Sequence, residues 1–222
     1  MNILLAVWFV FAINTPLAQD LTARQVLDKC RERADRIDSL LDTRDVEFTQ
    51  KIKMESKGGQ TDEVIFKITV RHGELTREFV SGTVPNGDRF NGGYDAFDKM
   101  FFLSQYFSRP NGAVSSCDLD DSETGGDYDL DFSISKSSTS DDPYTTVNVS
   151  VDKRDYTPLR IEERLSGLPL GVEFHDYVNV SYDAKAGMYY PTTIIMKVYG
   201  RFYFLKGQVA VITITNSGLR LK

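Results

Sequence analysis

From about residue 45 onward the chain alternates apolar and polar positions. In Asp45 to Glu55, Val46, Phe48, Gln50, Ile52 and Met54 share one parity, and Thr49, Lys51 and Lys53 take the other. Side chains of a strand alternate across the pleat, so this spacing predicts a strand. Lys57-Gly58-Gly59-Gln60 reads as a turn, and Glu63 to Arg71 repeats the alternation with Val64, Phe66, Ile68 and Val70. His72-Gly73 is the next turn and Leu75 to Val80 the third strand of an antiparallel meander. The same period predicts strands over Tyr128 to Ile134, Thr145 to Val151, Pro158 to Leu165, Val172 to Tyr182, Tyr190 to Tyr199, Arg201 to Leu205 and Gln208 to Thr215. About ten strands result, and an open sheet of that size tends to curl.

Two segments carry a helical period instead. Thr22 to Leu41 opens with a capping box, Thr22 followed three residues later by Gln25. Val26, Leu27, Ile37, Leu40 and Leu41 form its apolar face, and the charged run Lys29 to Arg36 predicts a solvated middle. Tyr94 to Phe107 holds Tyr94, Phe97, Met100, Phe101, Phe102, Leu103, Tyr106 and Phe107, which predicts an amphipathic helix with a large aromatic face. That face packs on the sheet as core or closes a hydrophobic cavity as a lid. Val84 to Gly93 reads as loop, as does the acidic stretch Asn111 to Asp127. With no internal repeat and no linker, the expected architecture is one mainly β (α+β) domain.

The first residues have a different use. Ile3 to Ile13 are apolar and Thr15-Pro16-Leu17-Ala18 follows, the layout of a secretory signal cut after Ala18. The run is too short for a membrane span. The expected division is a signal over 1–18 and a single domain over 19–222, exported to the periplasm, with secretion as the alternative. No Cys follows the apolar run, so a lipid anchor is not indicated.

The net charge is −6, and all of it lies beyond the signal. Mild acidity argues against nucleic acid as a partner. In an oxidising compartment Cys30 and Cys117 form one disulfide or remain two thiols; the sequence leaves both open. His72 and His175 belong to no metal-binding spacing. No nucleophile elbow, phosphate loop or paired-Cys zinc motif is present, so no enzyme activity, cofactor or metal is expected. Asp118, Asp120, Asp121, Glu123 and Asp127 supply hard oxygens suited to calcium, which keeps a calcium-binding secreted domain as an alternative. Their order departs from the EF-hand loop: Glu123 and Asp129 stand where Gly and Glu are needed. The glycosylation sequons at Asn148 and Asn179 fall on predicted strands.

The order of the second half resembles a known family. Tyr128-Asp129-Leu130 leads across a Ser-rich turn to Tyr144-Thr145-Thr146-Val147. Val151-Asp152 leads to Tyr156-Thr157-Pro158-Leu159, then Phe174-His175-Asp176-Tyr177, then Tyr189-Tyr190-Pro191. This is similar to the LolA/LolB-like superfamily of outer-membrane lipoprotein-sorting proteins. Phe48-Thr49-Gln50, on the strand after the first helix, matches the Phe-x-Gln of the lipoprotein carrier.

The resemblance implies a single strongly curved antiparallel sheet forming an incomplete β-barrel, with helices over its open side. It implies a monomeric carrier of lipid or lipoprotein acyl chains, meeting envelope membrane proteins. Val46, Phe48, Ile52, Val64, Phe66 and Ile68 would line the wall, and Phe97, Phe101, Phe102 and Tyr106 the lid. A non-enzymatic envelope interaction module with a filled interior is the competing expectation.

Overall fold

The computed structural model describes residues 21–83, 100–107, 113–121, 127–135, 144–166, 172–202 and 205–222. The signal 1–18, Phe97 and Glu123 lie outside them. A helix, α1 (Ala23–Thr43), precedes ten strands: β1 (Val46–Ser56), β2 (Thr61–Arg71), β3 (Glu74–Gly82), β4 (Ala113–Asp121), β5 (Asp127–Ser135), β6 (Tyr144–Asp152), β7 (Pro158–Ser166), β8 (Glu173–Asp183), β9 (Met188–Phe202) and β10 (Leu205–Leu221). They form one antiparallel sheet in the order β3-β2-β1-β10-β9-β8-β7-β6-β5-β4. The sheet does not close, so β3 and β4 are its edges.

Turn chemistry sets the hairpins. His72 (φ 50) and Gly73 (φ 75) are both left-handed, as the two central residues of a type I′ hairpin turn must be. Pro191 sits where the β8–β9 register slips between Asn179 and Val180, a bulge that tolerates a residue with no N–H.

Register places one row of side chains across nine strands. Running from β2 to β4 it reads Val64, Ile52, Ile214, Ile194, Val178, Ile161, Val149, Leu130 and Leu119. All but the half-buried Leu119 are buried. This belt is the floor of the inner face, and α1 lies over it. The helix touches β2 at one end of the sheet and β4 and β5 at the other, with β9 between. On a flat sheet β2 and β4 would stand ~38 Å apart, beyond the ~31 Å length of α1. One helix reaches both because the sheet coils around it.

The helix begins as expected: Thr22 caps it and Gln25 completes the capping box. Its middle is not solvated, however. Cys30 and Ala34 are buried and join Val26, Leu27, Ile37 and Leu41 in one continuous stripe. These small side chains let the helix approach the sheet between its charged residues. Arg33 Nε donates to Thr157 Oγ1 (2.9 Å) and its Nη2 to Asp155 Oδ2 (2.9 Å), tying α1 to the β6–β7 turn.

Three other expectations change. Residues 113–121 form the edge strand β4 rather than a loop; a bulge between Val114 and Ser116 shifts the parity and hides the alternation. Residues 201–205 are not a strand of their own, because β9 runs on to Phe202 and β10 starts at Leu205. Within the described part of 94–107 there is a 3-10 helix, Leu103–Tyr106, preceded by a turn, and no α-helix. Asp38 of α1 takes the N–H groups of Leu103 and Ser104, so neither is left to bond a preceding turn and continue an α-helix.

Enlarging Ala34 tests the close approach of α1. Ala34→Leu is expected to cost about 1–3 kcal/mol by overpacking. Glu32→Ala, on the exposed side of the same helix, should stay within about 0.5 kcal/mol. Urea unfolding of the two variants checks this; equal midpoints would mean that Ala34 does not press on the sheet.

Candidate functional site

The inner face of the sheet divides along the strands. Toward the end carrying the β6–β7 and β8–β9 turns, it is covered by α1 and by residues 100–107. Here Val46, Phe48 and Ile52 of β1 and Val64, Phe66 and Ile68 of β2 are all buried in one cluster with the α1 stripe. Phe101 stacks on Phe48 with ring centroids 4.5 Å apart and also meets Tyr190 at 6.4 Å. Phe107 stacks on Phe132 at 6.0 Å. Met100, Leu103 and Tyr106 are buried beside them, while Phe102 is half-buried. Of the cover residues named from sequence, Phe101 is set directly against Phe48 of the wall, Phe102 meets Phe101 edge-on and Tyr106 is buried beside them.

Two side chains of α1 hold this aromatic segment. Asp38 accepts the N–H of Leu103 (3.0 Å) and of Ser104 (2.8 Å), and Arg31 Nε donates to the carbonyl of Phe107 (3.1 Å). Residues 31 and 38 are two turns apart and so lie on one helix face. Together they grip both ends of the 3-10 turn by its backbone. Burial pushes the Asp38 carboxyl above its ordinary value; the N–H groups of Ser104 and Leu103 oppose the shift, and nearby Asp35 adds to it.

Toward the other end of the strands the wall is less covered. One row runs Met54, Ile212, Met196, Asp176, Glu163, Val147, Phe132 and Cys117. The next includes Ala210, Val198, Phe174 and Leu165. Met54, Met196, Val198, Phe174 and Leu165 are only half-buried, so an apolar surface continues past the aromatic segment. Glu163 and Asp176 face each other there across β7 and β8, both buried.

Polar groups also lie within the covered part. Asn216 Nδ2 donates to the carbonyl of Pro191 (2.8 Å), and Gln50 Nε2 donates to Asn216 Oδ1 (3.2 Å). Gln50 is 1% exposed, and its Oε1 has no hydrogen-bond partner among the described residues. A buried acceptor left unmade costs about 1–3 kcal/mol. Sequence reading placed Gln50 on the inner face but could not find Asn216, 166 positions away. Asp38, Cys30 and Ala34 were missed for a related reason: their roles depend on what α1 packs against.

The outer face carries a groove of about 440 Å³ bordered by Asp118, Asp131, Asn148, Glu162, Arg164, His175 and Tyr177. His175 is half-buried there, 3.6 Å from Glu173, with its ring tilted against that of Tyr199 at 4.6 Å. Asn148 donates to Asp131 (2.9 Å). Among the described residues, no three His, Cys, Asp or Glu side chains could share a metal. Asp118 and Asp120 lie along β4 instead of converging in a loop. Both cysteines are free thiols; Cys30 is buried and Cys117 half-buried, and burial raises the pKa of each. A thiol so shifted holds its proton and is a poor nucleophile.

No protein-family model matches the chain, and no curated protein does. Solved structures are similar in arrangement. A LolA-superfamily protein from Nitrosomonas europaea covers 91% of this chain and 94% of its own, at 12% identity and a TM-score of 0.45. An outer-membrane lipoprotein-sorting protein domain from Vibrio parahaemolyticus covers 90% and 93%, at 12% identity and a TM-score of 0.42.

Asp38 yields a pH dependence with a definite sign. Its folded pKa is raised above 3.8, so its contribution to stability is complete below that value and is lost as pH rises through the folded pKa. Asp38→Asn removes the titration. Wild type is therefore expected to lose stability relative to Asp38→Asn as pH climbs from below 3.8 through the higher folded pKa. Urea midpoints over a pH series measure the difference; a relative gain with rising pH would contradict burial as the dominant cause.

Proposed function

We propose that this chain is a periplasmic carrier that holds the acyl chains of a lipid or lipoprotein against the inner face of its sheet. The observation that carries the reading is the manner in which that face is covered. The cover over Phe48 is a short aromatic segment, held to α1 at both ends through backbone hydrogen bonds. Displacing it uncovers an apolar wall continuous with the half-buried surface of Met54, Met196, Val198, Phe174 and Leu165. An acyl chain placed there gains about 0.8 kcal/mol for each methylene removed from water. Binding and release make and break no covalent bond, so the reading needs no catalytic residue or cofactor. It describes a monomer that exchanges its cargo with envelope membranes or their proteins.

A second reading has an observation of its own. Met100, Phe101, Leu103, Tyr106 and Phe107 are all buried, so the covered part of the interior is already filled. On that reading the fold serves as an interaction module and the aromatic segment is permanent core.

Loosening the grip on the segment separates the two. Asp38→Ala leaves two backbone N–H groups without their acceptor. A displaceable cover should then bind a fluorescent fatty-acid probe about tenfold more tightly, because closure competes with the probe by that much less. Lipid co-purifying with wild type from its host, seen by native mass spectrometry, is the companion expectation. Protein that is lipid-free and indifferent to the probe in both forms would favour the filled module.

A further inference from the structure

Hydrogen-bond direction inside the covered region can be traced from one fixed point. The Pro191 carbonyl can only accept, so the side chain of Asn216 must present its NH2 group there. That orientation turns Asn216 Oδ1 toward Gln50, which must answer with its own NH2 group. Rotating either amide by half a turn would set oxygen against oxygen. Gln50 Oε1 is thereby left as an acceptor pointing away from the pair, buried and without a partner among the described residues.

Its position relates it to the aromatic segment. Gln50 shares the inner face of β1 with Phe48, two residues away, and is directly opposite Phe66 on β2. Pro191 follows Tyr190. Phe48 and Tyr190 are the rings on which Phe101 packs. A molecule that takes the place of Phe101 lies between the residues that frame the amide pair. The phenyl ring of Phe101 offers no N–H or O–H to the acceptor; a ligand can.

We propose that Gln50 Oε1 is a specificity-determining acceptor, selecting acyl ligands that carry a hydrogen-bond donor beside the chain: an amide N–H or a hydroxyl. This rests on the carrier reading above and adds to it the chemical class of the cargo. A methylene chain alone satisfies the wall but leaves the acceptor unmade, whereas a chain joined through an N–H satisfies both. Asn216 acts through Gln50, as a positioning residue that holds the amide in this orientation.

Matched probes test it on the wild-type protein. N-methyldodecanamide and N,N-dimethyldodecanamide share one chain length, and only the first carries a donor; dodecanol supplies the hydroxyl arm. Each competes with a bound fluorescent fatty acid. The expected result is at least a tenfold preference for N-methyldodecanamide over its dimethyl partner. Gln50→Met, similar in length but without the amide oxygen, should bring the two to within about twofold while retaining binding, with a thermal melt confirming that it folds. Displacement by dodecanol but not by the secondary amide would assign the donor as a hydroxyl and keep the proposal. Displacement by both amides to the same extent, with dodecanol no better than either, would overturn it and leave the carrier reading standing. Failure of all three to displace the probe, or of the probe to bind, would overturn both.

Discussion

The rest of the structure depends on the apolar belt that runs across nine strands, from Val64 on β2 to Leu119 on β4. A row of branched side chains that long cannot be left in water, and an open sheet supplies nothing opposite it. The described cover is one helix and one short turn. The sheet must therefore bring its own ends toward the helix, and its coil is the geometric consequence. Right-handed strand twist makes such coiling the natural state of a wide sheet. The helix selects how far it proceeds, because α1 has to contact β2, β9, β5 and β4 at once.

That requirement explains the composition of α1. A helix that touches so many strands must sit low in the trough, and Cys30 and Ala34 permit this where larger residues would hold it away. Its polar side chains then become the natural anchors for everything else at the trough. Arg33 takes the β6–β7 turn, and Asp38 and Arg31 take the aromatic segment. The segment is thus attached to the helix by directed polar bonds and to the sheet by aromatic packing. These two kinds of attachment differ in character: the bonds specify position, while the packing is replaceable by any apolar group of suitable shape. On the proposed carrier reading, cargo would compete for the packing while the bonds favour closure.

Much of this was legible along the chain because period two is a local property. The β1–β2–β3 meander, the capping box at Thr22 and Gln25, and the inner-face residues of β1 and β2 all follow from neighbours within a few positions. The misreadings fall where local period is broken or incomplete. A bulge beside Val114 disguised β4 as an acidic loop. The stripe of α1 looked interrupted because Cys30 and Ala34 are not strongly apolar, although they are as buried as Val26 and Leu27. The aromatic run after residue 94 has helical spacing, yet in its described part it forms a turn and a 3-10 helix anchored by a carboxylate from another element.

The sequence by itself determined that the chain would be an antiparallel sheet with one apolar face, entered through a capped helix. Alternation and capping act between residues close along the chain, and no distant partner is needed to establish them. Only the tertiary structure decided what that face encloses. The approach of α1 through Cys30 and Ala34, the hold of Asp38 on Leu103 and Ser104, and the turning of Gln50 by Asn216 and Pro191 join residues far apart in sequence. Their orientation follows from packing and from which groups can donate, and neither exists until the sheet has coiled.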